Sequence, residues 1–382
     1  MKIRAITTGL VLEGDRDWTS LDRIGAFNRK AVRFFEAEGF AVQSHRIATN
    51  PWEAYISPAD PKAALSRLSQ LSRAAASTGV HFFGIGPART PEAIALIPEI
   101  IGSTPNLSVA ADLGGTGRGL LWHNIKAASA IVVPAAHKDP QGYSSMRFCG
   151  QANVRPFTPF FPAAYHEGPP SFGIGMECGD LLVAAFENGG DWRDAETRLK
   201  TVLTEAFSRV ETLARDLEKA EGMPFHGLDL SVAPSLIPEE SVARAYEAMG
   251  IPRFGDAGTL ALSALITRVL KNLPVKSCGY SGLMFPVIED HGLARRADEG
   301  CYGIGRLLLY SSVCACGLDT VPVPGDISRD TVERLFLDVA SLAIALDKPL
   351  AIRLFPIPGK KAGDLATFNS PYLLASKILD AH

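Results

Sequence analysis

Short apolar runs alternate with longer amphipathic stretches along most of the chain. The runs at 2–8 (KIRAITT), 40–47 (FAVQSHRI), 80–86 (VHFFGIG) and 106–112 (NLSVAAD) read as strands, rich in β-branched and aromatic residues. So do 130–135 (AIVVPA), 171–176 (SFGIGM), 227–232 (GLDLSV), a segment near 281–288, 318–323 (LDTVPV) and 350–355 (LAIRLF). A 3.6-residue spacing of apolar positions predicts helices near 20–38, 60–77, 90–101, 191–221, 239–249, 257–271 and 328–346. The longest carries one stripe from Leu199 through Leu203, Phe207, Val210 and Ala214 to Leu217, and Gly222 is placed to end it in a left-handed cap.

About ten strands separated by helices predict an α/β protein with parallel strands buried on both faces. An open doubly wound sheet and a closed barrel both fit that alternation. One segment departs from it. Residues 137–170 carry prolines at 140, 156, 159, 162, 169 and 170 among many aromatics, and they are expected to form an irregular excursion that packs on the rest as a lid, a binding loop or an oligomer contact.

Charge and composition narrow the partners. The 382 residues include 38 Lys plus Arg and 41 Asp plus Glu, a formal net charge of −3, so neither nucleic acid nor an anionic membrane is expected as a partner. No stretch approaches the ~20 apolar residues of a membrane span. The first apolar run is broken by Thr7, Thr8 and Gly9 and then meets Glu13, Asp15 and Arg16, unlike a secretory signal. The six cysteines, at 149, 178, 278, 301, 314 and 316, are therefore expected to be free thiols in a reducing cytoplasm.

Candidate chemistry sits in a few places. Gly84 with Gly86 and Gly173 with Gly175 follow strand-like runs, and 112–119 (DLGGTGRG) brings Gly115 and Thr116 ahead of a helix. Such turns either cradle a phosphate or carboxylate or are simply tight. They match neither the Walker nor the dinucleotide pattern, so no nucleotide cofactor is expected. Glu289, Asp290 and His291 could serve as acid and base, donate to a hard metal such as Mg²⁺ or Mn²⁺, or form a solvated turn. Cys314 is a candidate nucleophile or an inert buried thiol; a helix C-terminus before it would not activate it.

Several motifs together resemble the domain of unknown function 711 family. They are 225–235 (FHGLDLSVAPS), 279–292 (GYSGLMFPVIEDHG), 314–326 (CACGLDTVPVPGD) and 350–364 (LAIRLFPIPGKKAGD). The resemblance implies a single domain over 1–382, a ten-stranded α/β barrel like that of glycyl radical enzymes with chain passing through its interior, and a soluble homodimer. The tail lacks an Arg-Val-x-Gly-aromatic loop, so radical chemistry is not expected. Phe148-Cys149-Gly150 stands where relatives have Phe-His-Gly, which leaves the role of Cys149 open.

Matching the family's positions implies catalytic roles for Cys314, Glu289, Asp229 and Asp319, with Ser231, Ser281 and Arg353 on the substrate beside Gly115 and Thr116. The expected activity is that of a lyase, isomerase or hydrolase acting on a small polar or anionic metabolite. Two alternatives stand beside it: a metal-dependent variant using Asp229, Glu289, Asp290 and a histidine, and a non-catalytic small-ligand-binding protein.

Overall fold

In the computed structural model, which describes residues 1–14, 18–187, 189–314 and 316–381, most of the alternation is realised as strands and helices; Asp15 and Arg16 lie outside the described residues. The strands are β1 (Lys2–Leu10), β2 (His45–Thr49), β3 (Phe82–Ala88), β4 (Leu107–Gly115), β5 (Gly119–Leu120), β6 (Phe148–Ala152), β7 (Ser171–Glu177), β8 (Phe225–Ala233), β9 (Gly317–Pro324) and β10 (Leu350–Ile357), with a separate short pair at Leu365–Ala366 and Ser376–Lys377. The helices are α1 (Thr19–Ala37), α2 (Pro61–Ser77), α3 (Pro91–Ala95), α4 (Ile97–Ser103), α5 (Trp122–Ala136) and α6 (Gly179–Phe186). They continue with α7 (Trp192–Glu221), α8 (Val242–Ala248), α9 (Thr259–Lys271), α10 (His291–Asp298), α11 (Ile304–Ser311) and α12 (Arg329–Ala345).

The long stripe forms α7 as expected, and Gly222 ends it at φ 65°. Other expectations need correction. The apolar run 130–135 lies inside α5, where Ile125, Ala128, Ile131, Val132 and Ala135 are buried at helical spacing. A short apolar run does not reveal its period, and the alanines around it favour the helix. The helix expected over 90–101 breaks at Leu96, with Pro98 inside the first turn of α4. The excursion at 137–170 contains a strand, β6, fully buried between β4 and β10.

The ten strands form one mixed sheet in the order β8-β7-β1-β2-β3-β4-β6-β10-β9, with β5 hairpinned onto β4. Three runs of parallel strands, β7-β8, β1-β2-β3-β4-β6 and β9-β10, meet at antiparallel seams between β1 and β7 and between β6 and β10. The ladders do not close into a ring; β8 and β9 are its edges. The segment expected as a strand near 281–288 is not one. It makes isolated bridges, Leu228 to Ser277 and Val232 to Leu283 on one edge and Pro286 to Asp319 on the other.

Helices cover one face and the excursion the other. On β1, Thr8 bonds Asn28 of α1, whereas its neighbour Thr7 donates 2.7 Å to the carbonyl of Pro159. Side chains alternate across a strand, so these contacts mark opposite faces. Strand glycines make room for the excursion: a Cβ on Gly175 would lie 2.6 Å from the Phe160 ring, and one on Gly84 would lie 3.0 Å from the Phe161 ring. That is the structural meaning of Gly84 and Gly175; Gly86, at φ 73°, instead approaches the backbone of Asn50 and Pro51. No helix among the described residues is long and apolar enough to cross a membrane.

Candidate functional site

On the excursion's face of the sheet, charged side chains that are distant in sequence converge. Lys2 lies 2.7 Å from Glu240 and 3.5 Å from Glu177. Arg4 reaches Glu177 at 2.8 Å with Nη1 and Glu289 at 2.8 Å with Nη2. Arg353 takes the other Glu289 oxygen at 2.7 Å and Asp319 Oδ1 at 2.7 Å. The result is an alternating series, Glu240–Lys2–Glu177–Arg4–Glu289–Arg353–Asp319, whose central members are buried. Buried charges are tolerated only when paired and hydrogen-bonded, and Glu289 meets that condition by bridging two guanidiniums.

Two β-bulges aim this series. The pairing of β1 with β7 slips by one residue at Arg4, between Ile3 and Ala5. The pairing of β9 with β10 slips where Asp319 and Thr320 together face Arg353, between Leu318–Ile352 and Val321–Leu354. An extra residue in one strand redirects the side chain beside it. Thr320 bears the cost: it is β-branched, sits at φ 41° and buries a hydroxyl that has no partner among the described residues.

The Arg4–Glu289–Arg353–Asp319 part of the series lines a cavity of about 70 Å³, room for roughly five waters or one small molecule. Its polar wall comprises Arg4, Arg353, Glu289, Asp319 and Arg46. Its apolar wall includes Met146, Phe160, Phe161, Phe82 and Met284. Arg46 differs from the other two guanidiniums. It is 8% exposed, its Nε donates 3.0 Å to Ser44 Oγ, and among the described residues it has no carboxylate partner. The guanidinium sits 5.2 Å from the Phe82 ring centroid and 5.3 Å from that of Phe161. Burial, then the nearby Arg4, push its pKa down. Arg353 goes the other way, because Asp319 and Glu289 outweigh burial. Among the described residues, Arg46 thus has no ion-pair partner in the cavity, and Arg353 holds Asp319 through Oδ1.

Of the residues singled out in the sequence, Glu289, Asp319 and Arg353 meet at this cavity. Asp229, Ser231 and Ser281 meet one another instead. The Asp229 carboxylate accepts from Ser231 Oγ at 2.6 Å and from the backbone of Tyr280 and Ser281 at 2.8 and 2.9 Å, fixing segment 276–287 against β8. Cys314 is fully buried behind the sheet beside Lys348, does not line the cavity, and burial pushes its thiol pKa up. Gly115 and Thr116 lie elsewhere: the Thr116 hydroxyl donates to Asp347, and Arg118 pairs with Asp112 at 2.7 Å. A loop whose polar groups already pair with one another and with Asp347 is a poor anion cradle.

Asp290 is the N-cap of α10, bonded to Ser241 at 2.5 Å and to the backbone of Gly292 and Leu293 at 3.1 Å each. With Asp229 and Asp290 so engaged, the metal set of Asp229, Glu289, Asp290 and a histidine is not assembled. No group of three or more His, Cys, Asp or Glu among the described residues is placed to hold a metal ion. Cys149 and Cys316 line the cavity, and burial raises both thiols. Arg4, Arg46 and Glu177 are not among the residues singled out in the sequence. Arg4 sits in a largely apolar strand run, a signal that points to a buried ion pair; Arg353 stood out through its motif.

Fold and site define a mixed α/β protein with an ion-paired internal cavity. The chain belongs to the family described as uncharacterised ACR (DUF711), whose model matches residues 1–369. It is similar to the UPF0210 protein of Acetivibrio thermocellus, 28% identical with 97% of this chain and 88% of the relative covered. The UPF0210 protein of Pyrobaculum islandicum is 32% identical, with 87% of this chain and 78% of the relative covered. That of Neisseria meningitidis is 28% identical, with 95% and 85% covered.

Proposed function

We propose that this protein is a non-radical enzyme that takes a small anionic metabolite into the cavity and moves a proton on it. One observation carries the reading: Arg46 is a buried guanidinium with no carboxylate partner among the described residues, opening on a cavity. A cation left unpaired in the interior costs several kcal/mol unless a ligand supplies the anion, so it is retained where it binds one. A carboxylate or a phosphate satisfies the guanidinium fork.

Asp319 is the acid–base group in this reading, since among the described residues only its Oδ1 is bonded, whereas Glu289 gives both oxygens to Arg4 and Arg353. Glu289 positions those two guanidiniums. Proton transfer at a carbon beside the bound anion is the chemistry of an isomerase or a lyase.

The same proposal takes the sheet as a barrel like that of glycyl radical enzymes, folded as one domain. The two antiparallel seams and the bridges from segment 276–287 to both edge strands support it.

The test is thermal stabilisation by short carboxylic acids, phosphate esters and inorganic phosphate. A ligand at 100 times its Kd stabilises by about 2.7 kcal/mol. Wild type is expected to be stabilised by at least one of these anions and Arg46→Gln by none. Wild type unmoved by every anion, or an undiminished shift in Arg46→Gln, overturns the reading.

A further inference from the structure

Among the described residues, five charged side chains line the cavity. The cations Arg4, Arg46 and Arg353 face the carboxylates Glu289 and Asp319, an excess of one positive charge. Arg4 and Arg353 already hold those two carboxylates, which leaves Arg46 for a ligand. Two hydroxyls on the same cavity are also unengaged. Ser108, 1% exposed, lines it from β4, and its hydroxyl bonds to no described residue. Ser108 shares the face of Arg46: β3 pairs Phe82 with Arg46 and Gly84 with Ser108, and alternate residues of a strand face one way. Tyr280, 6% exposed, lines it from segment 276–287, in one apolar cluster with Cys149 and Cys316. Its backbone N–H is bound to Asp229, but its hydroxyl has no partner among the described residues. Burial keeps that phenol protonated and so a donor. Interior polar groups are normally satisfied, so two unengaged hydroxyls on one cavity call for a ligand atom.

From this set we infer that the ligand is a short monocarboxylate carrying one uncharged oxygen, an oxo or hydroxy acid, held by Arg46, Ser108 and Tyr280. The inference rests on the reading that Arg46 receives an anionic group, and it adds the ligand's total charge and its second polar contact. One carboxylate balances the excess charge. A second would find no cation uncommitted, and Glu289 and Asp319 would repel it in a medium that screens poorly. A keto oxygen accepts from both hydroxyls, and a hydroxyl group accepts from one and donates to the other. The rest of the ligand meets Phe160, Phe161 and Met284, a surface that gains from covering hydrocarbon.

Calorimetric titration of the full chain decides the matter. The probes are butanoate and 4-methylpentanoate, the 2-oxo and 2-hydroxy derivatives of each, succinate and inorganic phosphate. At least one derivative is expected to bind ten-fold more tightly than its parent acid and ten-fold more tightly than succinate or phosphate. Tyr280→Phe is expected to weaken that derivative at least ten-fold and to leave the parent acid within three-fold. Ser108→Ala is expected to weaken it at least three-fold, with the parent acid again little changed, and the wild-type comparison stands by itself should either variant fold poorly. Equal losses for derivative and parent, or no loss for the derivative, overturn the role of the two hydroxyls. Parent acids that bind as tightly as their derivatives overturn the oxygen contact, and succinate or phosphate binding more tightly than every monocarboxylate overturns the single charge. In those cases the anion site at Arg46 still stands. No binding by any of these carboxylates or by phosphate overturns the anion site as well.

Discussion

Arg353 and Asp319 meet across a bulge: β9 carries one residue more than β10 at that point, and the extra length brings Asp319 Oδ1 to 2.7 Å from Arg353 Nε. The contact is a designed irregularity, since regular pairing would have turned the carboxylate to the other face. Thr320 stores the strain. Replacing it with glycine relieves a positive φ and an unpaired buried hydroxyl, each worth about 1–3 kcal/mol, against about 1 kcal/mol of glycine entropy and a lost methyl contact. Thr320→Gly is therefore expected to be more stable by about 1 kcal/mol in urea denaturation; a loss of that size would contradict the strain argument.

Removing one member of the series strands its neighbours. Arg353→Met leaves Glu289 with one partner and Asp319 with none, at an expected cost of about 3–5 kcal/mol. Adding Asp319→Asn to Arg353→Met removes the stranded charge, so the double variant should be more stable than the single one. Equal stability of the two, by calorimetry, would mean the pair is already solvated.

Arg46→Met has the opposite sign. Arg46 pays for burial without an ion pair, and its lowered pKa means that folding disfavours its charged form at neutral pH. The variant is expected to gain about 1 kcal/mol while losing anion binding, the usual exchange of stability against function. Destabilisation with intact binding would remove Arg46 from the site.

The fit of the excursion is testable at Gly175. Valine there would drive its side chain into the Phe160 ring, and overpacking of this kind costs about 1–3 kcal/mol. Limited proteolysis of Gly175→Val should cut within 153–170 before wild type is touched. Identical digestion patterns would show that the excursion does not depend on that contact.

His45 gives a pH dependence. Burial, then the nearby His81 and Arg29, lower its pKa from 6.5 to about 4. The unfolded chain therefore takes up a proton that the folded one refuses between those values, so stability falls as pH drops from 6.5 to about 4. His45→Phe should flatten that part of the Tm–pH curve, and an unchanged slope would refute the assignment.

How much of this was legible follows from range. Helix α7 announced itself because its stripe and cap are local. Strand β6 did not, because five buried residues lie among prolines and aromatics that read as loop. Segment 276–287 has the composition of a strand, but Asp229 takes up the backbone N–H groups of Tyr280 and Ser281, a contact no pattern exposes. Glu289, Asp319 and Arg353 were found through motifs. Arg4 and Arg46 were passed over, although an arginine inside an apolar strand asks which carboxylate it serves.

The ion-pair series also sets an order of events during synthesis. Arg4 and Glu289 are 285 residues apart, so at ~5–20 residues per second the first guanidinium leaves the ribosome roughly a quarter of a minute to a minute before its partner exists. Glu177 on β7 follows Arg4 by 173 residues, so for the rest of that interval Arg4 holds one of its two carboxylates while β6 still lacks β10 beside it. The nascent N-terminal half must wait with an open sheet edge, and it is at this stage that a chaperone would matter most.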